Sequence, residues 1–115
     1  IDLGFQTLPC HLIGFSQGAA LGLVYSAQHL PPGSKTALLA GFLPADFSLT
    51  AKSLSNRSYF IYHGKNDTTI SPGESTRLVQ ALRESGAAVE YCESTAGHKL
   101  SLGCLESLEK YILEK

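Results

Sequence analysis

The 115-residue chain has nine Lys and Arg against ten Asp and Glu, which gives a net charge of −1, and 17 % of its residues are charged. This balance excludes the strongly basic surface with which proteins bind nucleic acids or anionic membranes. The sequence shows no basic segment followed by an apolar core of the kind that makes a signal peptide. Its length allows one folding unit at most.

The hydrophobic pattern predicts an α/β fold in which strands alternate with helices. Strands separated by helices form a mainly parallel sheet with right-handed crossovers, so helices are expected to flank the sheet. We expect the first three strands to be buried and the last to be more exposed. In chain order, the predicted elements are strand Cys10–Phe15, helix Gln17–His29, strand Thr36–Phe42, strand Tyr59–His63, helix Pro72–Ser85, strand Ala88–Glu93 and helix Leu102–Glu114.

Capping signals define the ends of the second and third helices. Ser71 is the predicted N-cap of the second helix, with Glu74 three residues later completing a capping box, and Gly86 ends that helix. Ser101 is the predicted cap of the third helix. The apolar residues of the third helix recur at helical spacing and are expected to face the core; they are Leu102, Leu105, Leu108 and Ile112.

A long uncharged stretch offers a competing interpretation of the first helix. No Asp, Glu, Lys or Arg occurs between Leu3 and Ser34, and Gly14, Gly18 and Gly22 form the small-residue face of a membrane helix pair. Polar residues in the middle of the stretch and prolines at both ends indicate two shorter elements instead. We therefore expect no stable membrane insertion, and we attribute the missing charges to a buried parallel strand followed by a helix that faces the core.

The three cysteines, Cys10, Cys92 and Cys104, form an odd and scattered set without the spacing of a metal site. We interpret them as buried free thiols in a reducing compartment, which predicts a cytoplasmic location and no metal. The sequence also lacks methionine and begins at Ile1 in the middle of a pattern. We therefore expect the chain to be a piece of a longer protein.

The segment Gly14–Gly18 (GFSQG) has the pattern of a nucleophile elbow at the predicted junction of the first strand and first helix. A serine hydroxyl is a weak nucleophile unless it is held exposed beside a base and an oxyanion site. A sharp strand-to-helix turn provides this placement, and small flanking residues let the strand and helix approach closely. We predict that Ser16 is the nucleophile and that the backbone N–H of Gln17 is an oxyanion donor.

Candidates for the acid and the base follow Ser16 in the order Asp, His, which is the order of α/β hydrolases. Asp67 comes directly after the third strand, where functional loops of parallel sheets gather, although Asn-Asp is also ordinary turn chemistry. Asp46, after the second strand, is the reserve candidate for the acid. His98 lies between the last strand and last helix and is the only histidine that follows Asp67. It is therefore predicted as the base.

The other histidines have positions that fit the role of base less well. His11 belongs to a predicted buried strand, His29 ends a helix and His63 lies at the end of the third strand. In the predicted triad, His98 takes the proton of Ser16 and returns it to the leaving group. Asp67 fixes the tautomer of the imidazole and stabilises its charged form.

Four segments resemble the phospholipase/carboxylesterase family of α/β hydrolases, which includes acyl-protein thioesterases and small bacterial carboxylesterases. The spacings between the three triad candidates are similar to those of the family, and the resemblance covers nearly the whole chain. The four segments are Gly14–Leu21 (GFSQGAAL), Ala40–Pro44 (AGFLP), His63–Asp67 (HGKND) and Gly97–His98.

The resemblance implies hydrolysis of a small-molecule carboxylic ester or thioester through an acyl-serine intermediate, without metal or organic cofactor. By analogy, Phe42, Leu43, Pro44 and Ile70 are expected to line the acyl pocket. A complete member of the family resembles a domain about twice as long, with a first oxyanion loop before the elbow. We therefore expect residues 1–115 to be the C-terminal half of an α/β-hydrolase domain, without its N-terminal half.

Two other functions remain open on this fold. One is a non-catalytic binding domain that retains an idle triad, since fold alone does not establish activity. The other is the C-terminal half of a serine peptidase with the same triad order, for which a preceding propeller domain would be typical.

Overall fold

The computed structural model describes residues 10–31, 33–49 and 53–114, which form a four-stranded sheet and three helices. The strands are all parallel and lie in the order β1-β2-β3-β4, so the predicted α/β fold is confirmed. Each helix bound agrees with its prediction within one residue. The elements are β1 (His11–Phe15), α1 (Gln17–His29), β2 (Lys35–Leu39), β3 (Ser58–Gly64), α2 (Pro72–Glu84), β4 (Ala88–Ser94) and α3 (Leu102–Leu113).

The sheet has a hydrophobic core on each face because the side chains of β2 and β3 alternate between the two. On one face, residues such as Leu38 and Ile61 pack with α1 and α2 in a cluster that includes Leu23 and Leu78. On the other face, Phe60 and its neighbours pack against α3. The central strands are therefore buried on both sides, as parallel strands between helices require.

The helix termini show how local sequence sets the element bounds. Gly86, at φ 92°, follows the end of α2; its N–H donates to Arg83 and the N–H of Ala87 donates to Leu82, which is a Schellman motif. Ser101 caps α3 by accepting the N–H of Cys104. At the start of α2, the Ser71 side chain accepts from Gly73.

The predicted buried face of α3 is wrong in part. Leu102 is 81 % exposed and Leu105 is 37 % exposed. The buried residues of this helix are Cys104, the correctly predicted Leu108, and Tyr111. These three residues follow the i, i+4, i+7 spacing of a single helix face. Cys104 and Tyr111 therefore take the place in the core that was predicted for Leu102 and Leu105.

β1, whose apolar sequence is typical of a buried central strand, is an open edge strand among the described residues. β1 lies at one edge of the sheet, with Ile13 53 % exposed and Phe15 41 % exposed. On the neighbouring helix α1, Leu21 and Tyr25 are exposed as well. Within ranges 10–31, 33–49 and 53–114, only β2 pairs with β1, so its outer backbone edge and part of its apolar surface stay open.

The prediction of three buried free thiols is wrong. Cys92 on β4 and Cys104 on α3 form a disulfide with a Cα–Cα distance of 5.9 Å, and Cys10 is free but exposed. The two bonded cysteines lie on elements that pack together on one face of the sheet, and this proximity is set by the fold rather than by spacing in the sequence. No helix in the described part of the chain is long and apolar enough to cross a membrane.

Candidate active site

The nucleophile candidate lies in a strained turn between β1 and α1. Ser16 has φ 58° and ψ −118°, a backbone region that residues other than glycine rarely adopt and that costs about 1–3 kcal/mol. Its N–H donates to the carbonyl of Leu39 at 2.8 Å, and its carbonyl accepts from the N–H groups of Ala19 and Ala20. The turn is therefore held by the end of β2 on one side and by the first turn of α1 on the other.

Two glycines allow the backbone segments around Ser16 to approach closely. A Cβ at Gly14 would lie 2.4 Å from the carbonyl oxygen of Gly18. A Cβ at Gly41, just after β2, would lie 2.5 Å from the Cβ of Ala19. Real side chains do not tolerate such distances, so β1, α1 and the segment after β2 can meet at the elbow only because these positions lack a side chain.

The acid candidate is buried in the loop that follows β3. The side chain of Asp67 is 0 % exposed, and its Oδ1 accepts the N–H groups of Thr69 and Ile70, each at 2.8 Å. Its Oδ2 lies 2.6 Å from Nδ1 of His98. Asp46 is exposed in a turn and does not take this position.

The base candidate connects Asp67 with Ser16. Because the Asp67 carboxylate can only accept, Nδ1 of His98 carries the hydrogen and donates to it. The other ring nitrogen, Nε2, lies 3.1 Å from Oγ of Ser16 and can accept the hydroxyl proton. The structure thus brings Ser16, His98 and Asp67 into one hydrogen-bonded chain across three loops of the sheet.

The surroundings of Asp67 favour its ionised form. Burial by itself raises the pKa of this carboxyl, but the hydrogen bond from His98 and those from the N–H groups of Ile70 and Thr69 outweigh burial, so the pKa is lowered overall. A carboxylate that stays charged can hold the imidazole in one tautomer and stabilise its positive form.

The loops that hold the acid and the base are tied directly to each other. A Cβ at Gly64 would lie 2.2 Å from the carbonyl oxygen of Ala96, so the two loops touch where β3 ends. The side chain of Asn66 donates to Thr95, and the hydroxyl of Tyr62 donates to Lys99. These contacts hold the two loops together independently of the hydrogen bond between the side chains of Asp67 and His98.

The oxyanion candidate, Gln17, is the first residue of α1. Its backbone N–H is one of the helix N-terminal groups for which the helix itself provides no acceptor. The positive end of the helix dipole lies at the same place, directly after Ser16. This position suits a donor to a negative oxygen that develops beside Ser16.

The expected pocket residues do not all line one surface. Phe42 and Ile70 line a shallow depression of about 310 Å³ together with Thr69, Ser71 and Glu74. Leu43 packs against the core on the α2 side and lines a different depression. Pro44 lies in the same loop, where its carbonyl accepts from Phe47. The structure therefore groups Phe42 with Ile70 and separates Leu43 from them.

Two residues at the site were not predicted as contributors. The ring of Phe15 lies 5.0 Å from that of His98, centroid to centroid. His63, considered only as a rival base, is fully buried with Nε2 3.2 Å from Oδ2 of Asp67. His63 and Asp67 are four residues apart in the sequence, and this short separation could have indicated the contact. The disulfide between Cys92 and Cys104 also brackets the segment that contains His98.

No group of three or more His, Cys, Asp or Glu residues within the described part of the chain has the arrangement of a metal site. His63 and His98 both approach Asp67, but each is accounted for by hydrogen bonds to protein atoms.

The sequence pattern of the family described as Phospholipase/Carboxylesterase matches residues 4–114. Solved structures with a similar fold include Atu2452 of Agrobacterium tumefaciens, a protein of unknown function (TM-score 0.76, 23 % identity, covering 90 % of this chain and 50 % of that chain). A carboxylesterase from Bacillus cereus is similar over 89 % of this chain and 48 % of its own (TM-score 0.73, 24 % identity). SOBER1 of Arabidopsis thaliana is similar over 89 % and 50 % (TM-score 0.72, 25 % identity).

At these identities, the likeness to Atu2452 and to the Bacillus cereus carboxylesterase establishes the fold. The chain spans about half the length of the structures it matches. No functionally curated protein sequence matches it.

Proposed function

The chain belongs to the phospholipase/carboxylesterase family, and on this premise we propose that it is a serine hydrolase that cleaves carboxylic esters or thioesters through an acyl-serine intermediate. The observation that supports this proposal is the hydrogen-bonded chain from Ser16 through His98 to Asp67. To act as a nucleophile, a serine needs a base within hydrogen-bond reach and a group that orients the base. His98 and Asp67 have the positions that these two roles require.

In the proposed reaction, Oγ of Ser16 attacks the substrate carbonyl carbon while Nε2 of His98 takes the hydroxyl proton. The tetrahedral oxyanion accepts the N–H of Gln17. The carbon–oxygen or carbon–sulfur bond then breaks, and His98 returns the proton to the departing alkoxide or thiolate. A water molecule then attacks the acyl-serine while His98 takes its proton. His98 returns that proton to Oγ of Ser16, which releases the carboxylic acid and regenerates the serine.

Asp67 does not take the proton in this scheme. Its carboxylate accepts from Nδ1 of His98, so the imidazole keeps its unprotonated Nε2 toward Ser16. When His98 becomes positively charged, the buried carboxylate 2.6 Å away stabilises that charge.

We further propose that Phe42 and Ile70 contact the acyl group, because they line one depression with a partly apolar surface next to the Asp67 loop. Ile70 is tied to that loop directly, since its N–H donates to Asp67. Leu43 and Pro44 are retained as proposed contacts only on the resemblance of their segment to the family.

The cytoplasmic location expected from the sequence stays a proposal. The structure does not support the free-thiol argument on which it mainly rested. The location was inferred from free thiols, whereas Cys92 and Cys104 are bonded. Disulfides persist mainly in oxidising compartments, so the thiol content of the protein isolated from cells under alkylating conditions tests the location.

Hydrolysis of p-nitrophenyl acetate, an acyl thioester and a p-nitroanilide amide by the protein as its gene encodes it, with any residues that precede Ile1, tests the function. We expect turnover of the ester or thioester and a loss of about 10⁴- to 10⁶-fold in Ser16→Ala. Ser48→Ala, which changes an exposed serine, is the matched control and should keep full activity. Preferred cleavage of the amide would favour a peptidase. A folded protein that cleaves none of the three substrates would favour a binding domain.

A further inference from the structure

A second histidine, His63, contacts the carboxylate of Asp67. His63 is the penultimate residue of β3 and is 0 % exposed. Its Nε2 lies 2.7 Å from the carbonyl oxygen of Ile70 and 3.2 Å from Oδ2 of Asp67. Both neighbours can only accept, so Nε2 carries a hydrogen.

The other side of the imidazole is held by α2. Nδ1 of His63 lies 2.5 Å from Oγ of Ser75, which is itself 0 % exposed. Ser75 thus ties the ring to a helix that packs on β3. Both ring nitrogens have partners, so rotation of the ring would break at least two buried hydrogen bonds.

The contacts of His63 form a closed cycle with the acid. The Nε2–H of His63 donates to the carbonyl of Ile70, the N–H of Ile70 donates to Oδ1 of Asp67, and Oδ2 of Asp67 lies 3.2 Å from the same Nε2. One small network around His63 therefore contacts both oxygens of the carboxylate. Oδ2 is also the atom that accepts from His98.

From this cycle we propose that His63 is a positioning residue for Asp67, with Ser75 as the residue that orients its ring; the inference rests on the proposed hydrolase function. His63 touches neither Ser16 nor the reacting atoms. It sets the direction of the Asp67 carboxylate, and this direction sets the alignment of Nε2 of His98 with the Ser16 hydroxyl.

A purely structural role for His63 has a different consequence. If the residue only satisfied buried polar groups, its loss would lower stability while each folded molecule kept its reactivity. A positioning role instead lowers kcat with little change in KM, because misplacement of a reacting group by about 1 Å can cost a hundredfold in rate.

The test compares His63→Gln, His63→Leu and Ser75→Ala in the chain as its gene encodes it. Gln keeps an N–H donor at the reach of Nε2, whereas Leu has a similar size without a donor. The measurements are the rate at which a fluorophosphonate labels Ser16 per folded molecule, the kcat and KM for a p-nitrophenyl ester, and the downfield NMR signal of the His98 Nδ1 proton.

We expect His63→Leu to lose about ten- to a hundredfold in kcat and labelling rate with KM nearly unchanged, and to shift the His98 proton signal. His63→Gln should recover most of the rate. Ser75→Ala should show a smaller loss in the same direction, and it keeps the test decisive if His63→Leu does not fold.

Wild-type rates in folded His63→Leu and Ser75→Ala, with an unmoved proton signal, would overturn the role of His63 while the hydrolase function stands. A wild-type chain that the probe does not label at Ser16 would overturn the proposed function and the role of His63 with it.

Discussion

At the scale of single residues, the charge of Asp67 depends on the hydrogen bonds that its carboxylate accepts. Its two carboxylate oxygens accept from two backbone N–H groups and from His98, while its side chain has no exposed surface. Burial alone would favour the neutral acid, so the hydrogen bonds determine its ionisation. The hydrogen bonds therefore extend the pH range in which Asp67 is ionised to lower pH.

The lowered pKa of Asp67 has a consequence for stability against pH. Asp67 has a lower pKa in the folded than in the unfolded chain, so its charge stabilises the fold above its unfolded pKa of about 3.9. That contribution is lost as pH falls from about 4 through the folded pKa. We therefore expect the difference in unfolding free energy between wild type and Asp67→Asn to shrink over this range in urea titrations.

Asp46→Asn, which changes an exposed aspartate, is the control for this titration. Its difference from wild type should stay small and nearly constant with pH. A wild-type minus Asp67→Asn difference that grows as the pH falls would contradict the proposed charge state of Asp67.

At the scale of elements, the segment between β4 and α3 connects the core to the site. His98 lies within it, and the disulfide from Cys92 on β4 to Cys104 on α3 closes it, with a sequence separation of 12. Ser101 begins α3 by accepting the N–H of Cys104, so the cap and the disulfide converge on one residue. The segment that contains His98 is thus anchored covalently at one end of α3.

Removal of the disulfide should destabilise the fold more than removal of the free thiol. For Cys92→Ser with Cys104→Ser, we expect a loss of about 3 kcal/mol in the free energy of unfolding, since a closed loop of this size restricts the unfolded chain by that amount. Cys10→Ser, at an exposed free cysteine, is the control and should change little. Equal stabilities in urea unfolding would contradict the expected contribution of the disulfide.

Features that depend on residues close together in the sequence were predicted well. The elbow, the helix caps at Ser101 and Gly86, and the alternation of strands with helices all depend on residues within a few positions of one another. The disulfide was missed because Cys92 and Cys104 meet only after α3 packs on the sheet. Packing also selected Tyr111 rather than Leu105 for the core, where its hydroxyl hydrogen-bonds with Ser58.

The role of His63 escaped prediction for a related reason. Its position at the end of a strand was known from the sequence, but its partner Ser75 lies on α2, which reaches the ring only in the folded chain. Conversely, the order Ser16, Asp67, His98 indicated the triad because each residue follows a different strand of a parallel sheet. The carboxyl ends of such strands lie at one edge, where their loops can meet.

At the scale of the whole molecule, the open edge at β1 is the feature that most needs a partner. Its outer side is unpaired within ranges 10–31, 33–49 and 53–114, and Ile13 and Phe15 are exposed beside it. The matched structures are about twice as long as this chain. We propose that the 115 residues are the second half of a domain whose further strands cover β1 and whose first oxyanion loop completes the site.

This proposal predicts the behaviour of the 115-residue chain made alone. Open apolar edges recruit other chains, so we expect association that grows with concentration in size-exclusion chromatography with light scattering, together with very weak ester hydrolysis. Ile13→Lys should reduce the association, whereas Leu113→Lys, at an exposed leucine on α3, should not. A stable monomer with the turnover of a complete esterase would contradict the proposed missing half.

The most direct test of the proposed hydrolase function is the site of covalent labelling in the protein as its gene encodes it, with any residues that precede Ile1. The purified protein is treated with a fluorophosphonate, digested, and mapped by mass spectrometry. The proposed triad predicts one adduct on Ser16, its loss in Ser16→Ala, and strongly slowed labelling in His98→Gln, because Nε2 of His98 is the proposed acceptor of the Ser16 proton. An adduct on another serine, such as Ser71 or Ser101, or labelling at an unchanged rate in His98→Gln, would contradict it.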